Sequence, residues 1–294
     1  MDLRAIAMGA AFALMWSSAF SSARIIVADA PPLMSLSLRF FISGLIGIAI
    51  AAALGQSARL TAPQWRATIV FGICQNALYL GLYFVAMQTV EASLAAIMAS
   101  TMPLIVAAAG WALLGERLPA LGVAGLVAGF AGVLLIMGGR LGGASGVDPY
   151  GLTLCVIGVC ALAFATLALR GTTAGGNVLM VVGLQMLVGG AVLLPPALLL
   201  EVPEVRWSWQ LGAAFLYTIF VPGLAATWVW FLLVRRIGAV RAASFHFLNP
   251  FFGVAIAALV LGETVGPIDA LGVAVIMAGI LAVQRARAQG AGPR

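Results

Sequence analysis

One stretch of this chain is written twice. Pro103 is followed by Leu114-Gly115-Glu116, then Gly125 and Ala131-Gly132-Val133-Leu134, and the same order returns from Pro250 as Leu261-Gly262-Glu263, Gly272 and Ala278-Gly279-Ile280-Leu281. The offset between matching residues is 147 positions, half of the 294 residues. Both copies lie in almost wholly apolar sequence, so the expected product is a membrane protein of two related halves. Internal repeats of that kind place a substrate site at the interface between the halves, the organisation of a transporter.

Hydrophobic residues make up 63% of the chain and charged residues 8%, against roughly 25% charged in a soluble domain. The charges fall mostly between apolar runs long enough to cross about 30 Å of hydrocarbon. Ten such runs can be marked, at about 4–24, 32–54, 65–88, 93–114, 118–139, 149–170, 176–199, 209–234, 240–262 and 266–285, and are numbered spans 1 to 10. The first run lacks a convincing signal-peptide cleavage site and is followed closely by another, so it reads as a helix. Short connections leave no room for a soluble catalytic domain.

Cys74, Cys155 and Cys160 fall inside spans without metal-ligand company and read as small hydrophobes. The net charge of +6 reflects arginines along one membrane face and implies no nucleic-acid partner. With a cytoplasmic N-terminus, eleven arginines lie on the inner side (4, 59, 66, 117, 170, 235, 236, 241, 285, 287 and 294) and three on the outer side (24, 140 and 206). That bias orients both termini to the cytoplasm, and a chain without lysine but rich in Ala, Gly and Arg fits a GC-rich bacterial genome, so a multi-pass protein of the bacterial inner membrane is expected. Five spans per half is an odd number, so Glu116 ends a helix on the inner side and Glu263 its counterpart on the outer side. The fold class expected is therefore all-α integral membrane, ten transmembrane helices in two inverted five-helix repeats. The repeats run over 1–140 and 148–287, followed by a cytoplasmic tail over 288–294.

Trp16-Ser17-Ser18-Ala19-Phe20 in span 1, Leu38-Arg39-Phe40 in span 2 and the two Pro…Leu-Gly-Glu units carry a family resemblance. The chain resembles the EamA branch of the drug/metabolite transporter superfamily, and within it the bacterial aromatic amino-acid exporters of the YddG type. The resemblance covers essentially the whole chain. It implies a ten-helix basket, a central cavity lined by spans 1, 3, 4, 6, 8 and 9, and export of amino acids. One departure matters: Met186 stands in the second half where Arg39 stands in the first, so any role of Arg39 belongs to one half only.

Polar groups in mid-span mark functional positions, because hydrocarbon penalises them. Span 3 is the richest, with Gln75, Asn76, Tyr79 and Tyr83 at spacings of three to four residues along one helical face. They read as cavity lining, with interhelical hydrogen bonding as the structural alternative. Span 9 carries His246, Asn249 and Pro250; Pro103 in span 4 sits at the equivalent place behind Ser100 and Thr101; Pro222-Gly223 should interrupt span 8. Paired breaks at matching positions point to a transporter's site, with Pro103, Pro222, Gly223 and Pro250 as gating or hinge residues. His246, the sole histidine, reads as a neutral hydrogen-bonding group rather than a proton carrier, since no intramembrane carboxylate accompanies it. Glu116 and Glu263 are expected to cap the helices that follow them.

Trp16, near mid-depth beside Ser17 and Ser18, joins Tyr79 and Tyr217 as the aromatic faces of the candidate site. Trp65, Trp111, Trp207, Trp209, Trp228 and Trp230 read as interfacial belt residues. Arg39 reads as snorkelling outward or structurally paired, with a substrate carboxylate as the alternative. The Gly122-to-Gly129 patch is a close-packing surface. No nucleotide-binding motif, metal cluster or catalytic constellation appears, so no cofactor is expected, and neither an obligate protein partner nor an ATP-driven pump is implied.

The sequence thus reads as a secondary transporter exporting small neutral metabolites, amino acids including aromatic ones, by alternating access. Efflux of drugs or other small metabolites is the alternative, disfavoured for cations by the missing intramembrane carboxylate. An integral membrane enzyme is a distant one, lacking clustered Asp, Glu or His. The arginine bias makes a direct prediction: single cysteines at Ala58 and Gly290 label only from the cytoplasmic side, and one at Gly143 only from outside. Opposite labelling at any of the three positions refutes the topology.

Overall fold

The computed structural model describes residues 3–115, 118–141, 148–168 and 176–290. Among these residues all regular secondary structure is helical. Ten helices are long and apolar enough to cross a membrane: Leu3–Asp29, Pro32–Ala53, Ala62–Ala86, Ala92–Leu113, Ala120–Gly139, Pro149–Ala168, Val178–Leu200, Trp209–Ile237, Arg241–Leu261 and Pro267–Arg287. They are spans 1 to 10 of the sequence reading.

The chain divides into two compact units whose borders are not those of the repeats. One unit comprises Met1–Ser21, Val90–Leu152 and Ala225–Arg294; the other comprises Ser22–Thr89 and Thr153–Leu224. Each unit thus takes helices from both repeats. The chain passes between units inside three spans, within the continuous helices of spans 1 and 6 and at the end of an irregular segment in span 8.

In the first unit spans 5 and 10 cross on their glycines. A Cβ on Gly125 would stand 2.8 Å from the carbonyl oxygen of Gly279, and one on Gly279 would stand 2.7 Å from that of Gly125. Gly132 and Gly272 face each other the same way, at 2.9 and 3.0 Å. Gly272 and Gly279 are the repeat equivalents of Gly125 and Gly132, so the contact is reciprocal and the two equivalent spans run antiparallel. Only residues without a side chain let two backbones approach so closely, and in lipid such packing substitutes for the absent hydrophobic drive. Spans 4 and 9 meet at Ala96 and Gly253 in the same unit. A cluster of Ala5, Leu233, Ala242 and Phe245 joins the start of span 1, the end of span 8 and the start of span 9.

The Leu-Gly-Glu repeat has a local cause. Met102–Leu114 and Asn249–Leu261 both end on a glycine with left-handed backbone, Gly115 at φ 64° and Gly262 at φ 70°. Each N–H turns back to a carbonyl five residues earlier, on Gly110 and Ala257, a helix stop that glycine adopts without steric penalty. The turn releases Glu263 to accept from the N–H groups of Ala92 and Ser93, at 2.8 and 2.9 Å. It therefore caps span 4 and not the helix that follows it; span 10 starts with Gly266 N–H donating to Asp269 at 3.1 Å. A carboxylate gains more at the unpaired N–H groups of a helix start within a packed unit than in lipid-facing sequence. Glu116 and the tail residues 291–294 lie outside the described residues.

The second unit is built on spans 2 and 7, which cross at Gly44 and Gly183; a Cβ on either would stand 2.9 Å from the other's carbonyl oxygen. The capping logic recurs here. Leu33 and Met34 N–H donate to Glu201 at 2.7 and 2.8 Å, while Met180 N–H donates to Gln56 at 3.0 Å. Each helix end thus supplies the acceptor for the other's start. Arg24 donates to the carbonyl of Met87 at the end of span 3. Arg206 pairs with Asp29 at 3.3 Å.

Because the span 5–span 10 crossing is made by backbone atoms, Gly279→Ala is expected to destabilise by about 1–3 kcal/mol through overpacking. Gly138→Ala, in span 5 with nothing within 4 Å of its added Cβ, is the control and should be neutral or slightly stabilising. Thermal melting of both variants in detergent checks this; equal melting temperatures refute the crossing.

Candidate functional site

Three spans break where the sequence places proline. Span 4 is interrupted at Thr101, between Ala92–Ser100 and Met102–Leu114, with Pro103 in the first turn of the second helix. Span 9 enters as the 3-10 segment Ser244–Leu248 and continues as Asn249–Leu261, with Pro250 in its first turn. Pro250 has no N–H for the carbonyl of His246, and Asn249 N–H takes that carbonyl instead. In span 8, Pro222 and Gly223 lie inside the π-helix Ile219–Ala225. Span 3 carries a second π-helix, Gly72–Leu80, whose start lies 147 residues earlier in register. The sequence reading missed this one because no proline announces it. Wide turns of this kind concentrate at functional sites.

Within the first unit, an aromatic group lies at the broken entry to span 9. Phe12 stands 5.7 Å from Trp16, 4.8 Å from Trp230 and 5.3 Å from His246, centroid to centroid, and Trp230 stands 5.3 Å from His246. Trp16, Ser17, His246 and Asn249, all expected at the site, thus come together. Ser17 donates to the carbonyl of Asn249 at 3.2 Å. The Asn249 amide nitrogen lies 3.0 Å from His246 Nδ1. With the amide donating, Nδ1 is the acceptor and the ring proton sits on Nε2, the neutral tautomer. Asn249 Oδ1 is buried and accepts nothing among the described residues.

Two members of this group were not expected. Trp230 was read as an interfacial belt residue, yet it is half-buried against Phe12 and His246; Trp207 and Trp209, at 84% and 78% exposed, keep the belt character. Phe12 carried no signal beyond its place one turn before Trp16. Ser100, in the same unit, is buried and donates to the carbonyl of Ala96 at 2.7 Å. Its hydroxyl is satisfied by its own helix.

The other expected residues lie in the second unit. Asn76 donates to the carbonyl of Gln185 in span 7 at 2.8 Å and fills the space over Gly189, an interhelical bond of the kind weighed as the alternative to cavity lining. Gln75 beside it is half-buried. Tyr79 and Tyr83 pack with ring centroids 4.6 Å apart and planes tilted by 57°, and both are buried, Tyr83 completely. The Tyr83 ring lies 3.0 Å from where a Cβ on Gly158 of span 6 would stand. Tyr217 is 40% exposed, and its neighbour Thr218 is buried instead, donating to the carbonyl of Ala214 at 2.6 Å with the Ser22 hydroxyl 2.8 Å away.

Arg39 neither snorkels nor pairs. It is buried, and no acidic group contacts it among the described residues. Its guanidinium lies 5.2 Å from the ring of Phe40. No group of three or more His, Cys, Asp or Glu able to hold a metal occurs among the described residues.

Comparison with known proteins agrees with this architecture. The chain matches the EamA-like transporter family over residues 3–138 and again over 149–284. It is 28% identical over 289 residues to an uncharacterized inner membrane transporter of Escherichia coli, YedA, covering 94% of this chain and 89% of that protein. An uncharacterized transporter of Bacillus subtilis, YvbV, is 26% identical over 253 residues, covering 85% and 81%. A solved crystal structure shares the fold at a TM-score of 0.68 and 24% identity, covering 98% of this chain and 99% of that one. With the family matched once in each half of a ten-span helical chain, this protein belongs to the EamA-like transporter family and is a multi-pass membrane transporter, not an enzyme.

Proposed function

We propose that the protein is a secondary transporter of the bacterial inner membrane that exports small neutral metabolites, amino acids including aromatic ones, by alternating access with both termini cytoplasmic. The observation that carries the substrate class is the group of Phe12, Trp16, Trp230 and His246 beside the broken start of span 9. It offers ring faces to an apolar or aromatic side chain, worth about 0.5–1.5 kcal/mol per ring pair beyond area. The buried, unmatched Oδ1 of Asn249 adds an acceptor for a polar hydrogen. The arginine bias supports the orientation, and the name of the Escherichia coli relative supports the membrane.

Alternating access needs segments that change conformation without exposing backbone to lipid. The breaks at Pro103, Pro222-Gly223 and Pro250 are the gates in this reading, because their hydrogen bonding is already irregular. His246, accepting from the Asn249 amide, works as a neutral group, so transport follows the substrate gradient.

Counterflow of a radiolabelled amino-acid panel in proteoliposomes, with and without a pH gradient, tests the reading. Trp16→Ala and Trp230→Ala should lower the apparent affinity for aromatic substrates by roughly 2- to 10-fold and spare small ones. Equal losses for all substrates would mean damage to folding or gating, and no counterflow of any amino acid would exclude this substrate class.

His246→Gln should preserve counterflow, and the native protein should not accumulate substrate along an imposed pH gradient. Gradient-driven accumulation abolished by His246→Gln would instead make His246 the carrier of a proton antiporter.

A further inference from the structure

A second set of buried polar atoms lies in the other unit. Arg39 and Ser43 are one turn apart on span 2 and are 6% and 0% exposed. Arg39 Nε and Ser43 Oγ are both buried without a hydrogen-bond partner. Span 8 presents Gly223 to them: a Cβ on that glycine would stand 3.7 Å from Arg39 Nη2 and 3.7 Å from Ser43 Oγ. A guanidinium nitrogen and a hydroxyl thus converge at contact distance on the Cβ position that this glycine lacks, with the Thr218 carbonyl oxygen 3.0 Å from it. The segment is the π-helix Ile219–Ala225, where Pro222 has no N–H to offer the carbonyl of Thr218.

An arginine in mid-membrane is costly unless an anion or a set of acceptors meets it. Here the described residues supply only the face of Phe40, and Ser43 beside it is equally unmatched. Two unpaired buried donors on one helix face, opposite a glycine, are the complement of a planar anion with two oxygens. The repeat sharpens the point, because Met186 occupies the equivalent position and the chain holds one such group, not two.

From this convergence we infer that Arg39 and Ser43, facing Gly223, form a subsite for the carboxylate of the transported solute. The guanidinium donates to one or both carboxylate oxygens and the Ser43 hydroxyl donates to one of them. Pro222 and Gly223 then act on binding as well as on gating, since any rearrangement of the π-helix alters the space between the two donors. The inference depends on the proposed amino-acid export only for which carboxylate is carried; the donor geometry stands apart from it.

The test compares acids with their carboxamides, which keep the shape and lose the charge. The full-length protein in detergent is titrated with phenylalanine, phenylalaninamide, phenylacetate and phenylacetamide, with tryptophan fluorescence or thermal stabilisation as readout. The native protein should bind each acid about tenfold or more tightly than its amide, the effect of a charge-assisted bond. Arg39→Gln should bring that ratio to about one by weakening the acids and leaving the amides unchanged, and Arg39→Lys should restore it in part. Ser43→Ala should lower the ratio by roughly threefold. If neither Arg39 variant folds, Ser43→Ala decides, since it removes a single oxygen.

An acid-to-amide ratio near one in the native protein overturns the subsite. So does an unchanged ratio in Arg39→Gln, or in Ser43→Ala where it decides. Binding of phenylacetate through Arg39 with no counterflow of amino acids would refute the amino-acid reading and uphold the subsite. Counterflow of amino acids and their amides at equal rates would do the reverse.

Discussion

In hydrocarbon no water is present to receive a backbone amide, so every N–H and C=O must find its partner within the protein. That requirement governs where this chain can depart from regular helix. It departs at Thr101, in the two π-helical segments and at the 3-10 entry to span 9, and at the last of these the carbonyl stranded by Pro250 is taken by Asn249 N–H. Helix starts obey the same rule. Glu263, Glu201 and Gln56 each reach from the end of one span to the free N–H groups at the start of another. These capping contacts tie equivalent regions of the two repeats together inside each unit.

Glycine supplies the second constraint. The reciprocal pairs Gly125–Gly279 and Gly132–Gly272 let spans 5 and 10 touch backbone to backbone, and Gly44–Gly183 does the same for spans 2 and 7. Because equivalent spans face each other, each compact unit is assembled from both repeats. The division of packing therefore crosses the division of sequence.

Two ionisable side chains within the spans are treated differently. His246 has a neutral amide partner and rings around it, so it is accommodated uncharged. Arg39 cannot shed its charge in the same way, and the protein sets Phe40, an unmatched serine and Gly223 beside it. One group has a hydrogen-bond partner within the protein, and the Nε of the other has none among the described residues.

Much of this was legible in the sequence, because its causes are local or periodic. Spans follow from twenty-residue apolar runs, the repeat from the 147-residue offset, the stops at Gly115 and Gly262 from left-handed caps, and the breaks from Pro103, Pro222 and Pro250. The company of Trp16, Ser17, His246 and Asn249 also followed from their rarity in apolar helix. Other features depended on which helix lies beside which. Trp230 looks like a belt residue until Phe12 and His246 stand against it, and Glu263 looks like a cap for its own successor until span 4 offers its free N–H groups. Asn76 resembles a cavity group until Gln185 takes its amide. Arg39 looks free to snorkel until spans 2 and 8 close over it. The sequence by itself determined the helices, their number and their repeat, since these follow from hydrophobic length and backbone geometry. Only the tertiary structure decided which polar groups are satisfied and which are not, because that depends on partners far apart in the chain.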